Sequence, residues 1–244
     1  MKRFISLILL TTGALWGVAC SSSKPDEALL QQLSSMDKAT IFSKAEDLYA
    51  KEKYKQARKL YAFLYDSFPN DPLGHKAAVK VADCYFQYHD TANITEARLR
   101  YRDFVNRYPN DPDRAYALLM LGRTYTAKRL RPDRDLSSAH DALDSFQQLV
   151  NLYPNSKYVQ EARKSIADVK EVLAEHEYEV AHFYARNKRW IATLWRLEYL
   201  KENYPDYPHM DQVDALQKQA QEAWDRIKEK IEKIREKEKK AKKD

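Results

Sequence analysis

Glycine is scarce in this chain: four residues in 244, two of them (Gly13 and Gly17) within the first twenty. Gly74 and Gly122 alone cannot build a phosphate cradle, which excludes a P-loop or a dinucleotide-binding turn. No β-branched runs joined by Asn-Gly or Asp-Gly turns are present, so strands are not expected. Cysteine is scarcer still. Cys20 closes an N-terminal apolar segment, and Cys84 is left without a partner for an intramolecular disulfide. Set in "VADCYF", Cys84 reads as a buried, inert thiol. Metal-ligand spacing is missing: His176 and His182 are six residues apart where a helical zinc pair needs four. No serine sits in a nucleophile elbow. "DRD", residues 133–135, reads as a capping and ion-pair segment. No catalytic residue, cofactor or metal is expected, and the chain does not read as an enzyme.

What is abundant is Ala, Leu, Lys, Glu, Arg and Gln, the helix formers. Net charge is +6 but unevenly placed. Lys2 and Arg3 carry +2 and the tail 226–244 carries +5, leaving the rest at −1. Basic character confined to the ends does not indicate a nucleic-acid partner.

The opening "MKRFISLILLTTGALWGVAC" has a basic start, an apolar stretch too short to span a membrane comfortably, and small residues before Cys20. It resembles a bacterial lipoprotein lipobox, with Gly17 where Leu is usual. The resemblance implies lipidation of Cys20 and membrane attachment through its acyl chains. Ordinary signal cleavage and an uncleaved anchor are the alternatives. Ser21 after the cysteine, by the sorting rule that goes with the lipobox, implies the outer membrane.

A word of aromatic, proline and polar residues occurs four times: "FPNDPLG" from Phe68, "YPNDPDR" from Tyr108, "YPNSKY" from Tyr153 and "YPDYPH" from Tyr204. Twelve residues before each proline stands Ala57, Ala97, Ala142 or Thr193. Tyr61, Tyr101, Phe146 and Leu197 follow four residues later, and Leu64, Phe104, Leu149 and Leu200 three beyond. That spacing lines one helical face, and each helix stops before its proline. Ala45, Ala82, Gly122 and Ala181 mark the middles of the preceding helices, with Tyr85, Tyr125 and Tyr184 three residues after the last three. Helix, turn, helix, proline at about 34 residues is the tetratricopeptide pattern. The expected fold is all-α, a tetratricopeptide-like helical-hairpin solenoid of four to five repeats.

The units differ. A small insertion falls at 89–93 and a longer one at 127–138. The first helix of the fourth unit is lengthened, since Pro154 and Ala181 are 27 residues apart where earlier gaps are 13. Trp224, Ile227, Ile231 and Ile234 form one apolar stripe that either packs on the fourth repeat, the expected arrangement, or docks a partner, and "REKEKKAKKD" reads as a fraying, solvated end. The expected organisation is a signal peptide at 1–19, a lipidated tether at 20–40 with a short helix around Glu27 to Leu33, a repeat domain at 41–225 and a charged helix or tail at 226–244. Such solenoids bind extended peptides on a concave face. Tyr49, Tyr54, Tyr65 and Tyr88, not claimed by the packing pattern, are the candidate lining of a peptide groove near the N-terminal repeats.

From Asp133 to Tyr207 the chain resembles more than a generic repeat. "DRD" before an Ala-rich helix, "YPNSKY", the run "EHEYEVAHFYARNKRW" and "RLE" before the last "YPD" resemble the BamD (YfiO) family of outer-membrane assembly lipoproteins. The resemblance implies a non-enzymatic scaffold on the periplasmic face of the outer membrane. It implies a barrel-forming, BamA-like partner held by the C-terminal repeats and unfolded outer-membrane proteins engaged by the N-terminal ones. It also places Arg196, in "WRLE", toward the barrel-forming subunit, with Trp195 replacing a small polar residue. A guanidinium suits a bidentate carboxylate partner. The loop after Gly122 is shorter than the family's, and the fifth unit lacks a second helix. The alternative reading is another tetratricopeptide lipoprotein of the envelope, a secretin pilotin or a division coordinator.

Overall fold

The computed structural model describes residues 31–128 and 130–241. The chain divides into two units, 1–37 and 38–244. In the first, residues 31–34 are helical, and the Ser34 and Ser35 hydroxyls donate to the carbonyls of Gln31 and Gln32. The signal peptide, Cys20 and most of the expected tether helix lie outside the described residues.

The second unit is built from nine helices among the described residues: α1 Lys38–Ala50, α2 Tyr54–Ser67, α3 Pro72–Phe86, α4 Thr91–Arg107, α5 Arg114–Thr126, α6 Ser137–Leu152, α7 Val159–Arg186, α8 Trp190–Asn203 and α9 Met210–Ala241. Each packs against the next in sequence, which is the tetratricopeptide-like solenoid expected.

The repeated word is the helix stop. Phe68, Tyr108, Tyr153 and Tyr204 end α2, α4, α6 and α8 with nearly one backbone geometry, φ −122 to −133° and ψ 56 to 69°. The following proline bars its predecessor from the helical region, and this is the compromise adopted. Each aromatic carbonyl then accepts from the N–H three residues on, closing a turn with proline in second place. In the first word Asp71 accepts from the Leu73 N–H at 2.9 Å and Pro72 opens α3, so one word ends a helix and starts the next. The words also touch. The Tyr108 hydroxyl donates to the Pro69 carbonyl and that of Tyr153 to the Pro109 carbonyl, both at 3.3 Å.

Small and large residues meet as their spacing requires. Ala45, Ala82 and Ala181 are buried, as is Gly122, and so are Tyr61, Tyr101, Phe146 and Leu197. Where the large residue is tyrosine, an acid follows the small one: Tyr61 donates to Glu46, and Tyr101 to Asp83 at 2.6 Å. Where it is Phe146 or Leu197, Arg123 or His182 stands there instead. Thr193, the imperfect member, is fully buried with its hydroxyl on the Arg189 carbonyl at 3.2 Å.

Glycine scarcity has a local cost. Glu52, His89 and Lys188 adopt φ of 58, 55 and 56°, each two residues before the second helix of its unit. A left-handed residue closes a helix end well, and glycine would adopt it without its Cβ penalty.

The lengthened helix is α7, 28 residues long. Its first half supplies Val159, Ala162, Val169 and Leu173 to the core shared with α3 to α6. Its second half supplies Ala174, Ala181 and Ala185 to a core with α8 and α9.

At the C-terminus the charged segment takes the helical one of its two expected forms, continuous to Ala241, and the stripe expected to pack does so only at its start. Trp224 and Ile227 are half-buried, but Ile231 is 39% and Ile234 56% exposed. The reason is length: α9 has 32 residues against 14 in its neighbour α8, about 48 Å against about 21 Å at 1.5 Å per residue. Past Ala223 no residue of α9 is fully buried.

Candidate functional site

Among the described residues the polar side chains form caps, ion pairs and inter-helix bonds. Among the described residues no three His, Cys, Asp or Glu side chains are placed to hold a metal. Cys84 is buried, and burial pushes its thiol up to about 12, so it stays protonated. His176 Nδ1 contacts the Pro132 carbonyl at 2.6 Å and ties the 127–136 loop to α7. In that loop Arg131 clasps Asp133 through two bonds of 2.9 Å, and Asp135 accepts from the Ser137 N–H and hydroxyl at 3.0 and 2.8 Å. The segment caps and pairs. Among the described residues Asp83 is the most buried carboxyl, accepting the hydroxyls of Tyr101 and Tyr116 at 2.6 and 3.0 Å. Desolvation raises its pKa despite these bonds and nearby Lys80. It joins α3, α4 and α5 internally and offers nothing to a ligand.

Surfaces are more informative. Tyr49 and Tyr54 meet edge to face with centroids 5.2 Å apart, and Tyr54 meets Tyr88 at 6.0 Å. Lys80 Nζ lies 4.9 Å above the Tyr49 ring, and Gln87 donates to its hydroxyl at 2.9 Å. Burial, then the charge of Asp83, pushes the Tyr49 phenol upward, so it remains a neutral donor at any physiological pH. This is an aromatic patch with a polar rim on α1, the start of α2, and α3 with the turn that follows it. Tyr65 does not join it. It sits 11 residues beyond Tyr54 on α2, about 16 Å along the axis, and accepts from Arg107 Nη1 at 2.9 Å.

The second surface is on α8. Thr193, Leu197 and Leu200 take its buried face. Ile191, Trp195 and Tyr199, at i, i+4 and i+8, form a second apolar line that is 39, 70 and 45% exposed. Phe183 near the end of α7 is a further exposed ring, at 54%. Counting both apolar lines within "WIATLWRLEYLKEN" finds this face in the sequence, though the spacing of the core line masks it. Arg196 borders it. Its Nη1 donates to Glu177 Oε2 on α7 at 2.8 Å, and its side chain is 43% exposed against 12% for Glu177. The bond fixes the guanidinium while leaving donors free.

A family model described as "YfiO: Outer membrane lipoprotein" matches residues 34–238. The chain belongs to that family. Among similar YfiO-type proteins is the outer membrane protein assembly factor BamD of Haemophilus influenzae, 30% identical over 216 residues, covering 84% of this chain and 79% of the relative. BamD of Rickettsia prowazekii is 26% identical over 219 residues, covering 88% and 81%. BamD of Neisseria gonorrhoeae is 25% identical over 226 residues, covering 88% and 82%. These relatives carry the name of an assembly factor, not of an enzyme. Among the described residues no helix of this YfiO-family chain is long and apolar enough to cross a membrane.

Proposed function

We propose that the protein is a non-catalytic, lipid-anchored scaffold of the outer-membrane β-barrel assembly machinery. It holds the barrel-forming, BamA-like subunit through α8 and engages unfolded outer-membrane proteins through the aromatic patch of the first repeats. The observation that carries this reading is the exposed Ile191–Trp195–Tyr199 line with Arg196 at its border, in a chain of this family. Aromatic anchors beside an arginine are the usual composition of an interface centre, and burying such an apolar side chain contributes about 1.5–3 kcal/mol. The anchor would be the acyl chains on Cys20.

The test is isolation of the protein from membranes in mild detergent, followed by identification of the bound subunits. A barrel-forming protein with periplasmic repeats is expected. Arg196→Glu should weaken that complex about 30-fold, the effect of a hot spot near 2 kcal/mol, with helicity unchanged. Recovery of the protein without such a subunit refutes the reading, and unchanged affinity of the variant removes Arg196 from the interface.

A further inference from the structure

The free part of α9 is patterned. Trp224, Ile227, Ile231 and Ile234 recur at spacings of three and four, the a and d positions of a heptad. Their exposure rises along the helix as the body falls away. The positions on either side of this seam are cationic: Lys228 and Arg235 on one flank, Lys230 and Lys237 on the other. Asp225, Glu229, Glu232 and Glu236 fall on the far side of the helix. Some of them pair within α9, Asp225 with Lys228 at 3.3 Å and Glu229 with Lys233 at 3.0 Å. Glu238 ends the seam.

Three occupants can be weighed. A membrane surface calls for an apolar face about 100° wide or more, and two positions per heptad make a narrower stripe. A second copy of α9 would set cation against cation across the seam in either orientation, since both flanks are basic. Charge complementarity leaves a helix of opposite flanking charge. We infer that residues 224–237 of α9 are a docking seam for a partner helix of about four turns, whose own apolar a and d positions are flanked by Glu or Asp. The inference does not depend on the α8 surface or on the partners proposed above.

The test uses the full chain, purified in mild detergent, and two synthetic 21-residue helices of about three heptads. Both carry Ile at a and Leu at d; one has Glu at every flanking position, the other Lys. Fluorescence anisotropy should show the Glu-flanked peptide binding at least tenfold tighter, weakening as salt rises. Ile231→Asp with Ile234→Asp should abolish binding. Joint reversal of Lys228, Lys230, Arg235 and Lys237 to Glu should transfer the preference to the Lys-flanked peptide. Maleimide labelling of an Ile231→Cys variant, read as the signal above that of the parent chain with its Cys20 and buried Cys84, reports the seam directly. Labelling should proceed in protein reconstituted into phosphatidylglycerol vesicles and stop when the Glu-flanked peptide is added. Equal binding of the two peptides, or binding of neither, overturns the inference. Protection of Ile231→Cys by the vesicles alone assigns the seam to the membrane, and a dimer lost with Ile231→Asp assigns it to self-association; either result also overturns it.

Discussion

Replacing Gly122 with alanine tests the close approach of α5 to α6. An ideal Cβ there would lie 2.3, 2.6 and 2.7 Å from Cε1, Cζ and Cδ1 of Phe146. Carbon atoms in contact rest at about 3.5–4.0 Å, so the ring must withdraw by about 1 Å. It has nowhere to go: Phe146 is fully buried among Ala142, Leu149 and the residues of α5. Overpacking of this kind costs about 1–3 kcal/mol. Alanine's helix advantage over glycine, about 1 kcal/mol, opposes it. A net loss of up to about 2 kcal/mol is expected, or up to about 8 °C in melting temperature for a unit of this size. Urea unfolding followed by circular dichroism measures it. Phe146→Leu removes the clashing ring atoms, so the double variant should be more stable than the sum of the single effects by about 1 kcal/mol. A Gly122→Ala protein as stable as the parent, with additive behaviour in the double variant, would refute the reasoning. It would mean that α5 and α6 can separate freely.

Asp83 gives a pH signature. Its folded-state pKa is raised by burial above the ordinary 3.8, so between that value and its folded pKa the native state binds the extra proton and stability falls as pH rises. Asp83→Asn should remove this slope from urea midpoints measured upward from about pH 4; an unchanged slope assigns it elsewhere. Lys188→Gly should raise the melting temperature, with up to about 1 kcal/mol gained by relieving a left-handed lysine, and a fall would show that the Lys188 side chain contributes contacts of its own. Cys20→Ser should release the protein from membranes into the soluble fraction, and retention would point to an uncleaved N-terminal anchor.

The repeat architecture was legible because its signals are local. Proline constrains the residue before it whatever surrounds the pair, so the ends of α2, α4, α6 and α8 could be placed from four words. Small and large residues twelve and eight positions before each proline located the core for the same reason. The loops between paired helices were not legible. Glu52, His89 and Lys188 carry none of the composition that marks a left-handed turn. Asp83 was missed because burial of a carboxyl depends on two tyrosines 18 and 33 residues away. The partner of Arg196 lies 19 residues upstream on another helix, and helical spacing says nothing about such a pair. The stripe on α9 is the face its spacing predicts, but only its first half packs. Periodicity tells which side of a helix is apolar, but what lies opposite depends on the neighbour's length. Tyr65 stands apart from Tyr49, Tyr54 and Tyr88 for a related reason: a shared residue type does not bring distant turns of a helix together.

Because α7 runs unbroken from one core into the next, the two halves of the solenoid are joined by a shaft and not by a hinge. Bending a continuous helix breaks backbone hydrogen bonds, whereas a linker swings freely. The consequence is mechanical. A load on the α8 face must turn the whole of α7 or be borne by it. The core of α3 to α6 and that of α8 and α9 are therefore held at an orientation set by one rod.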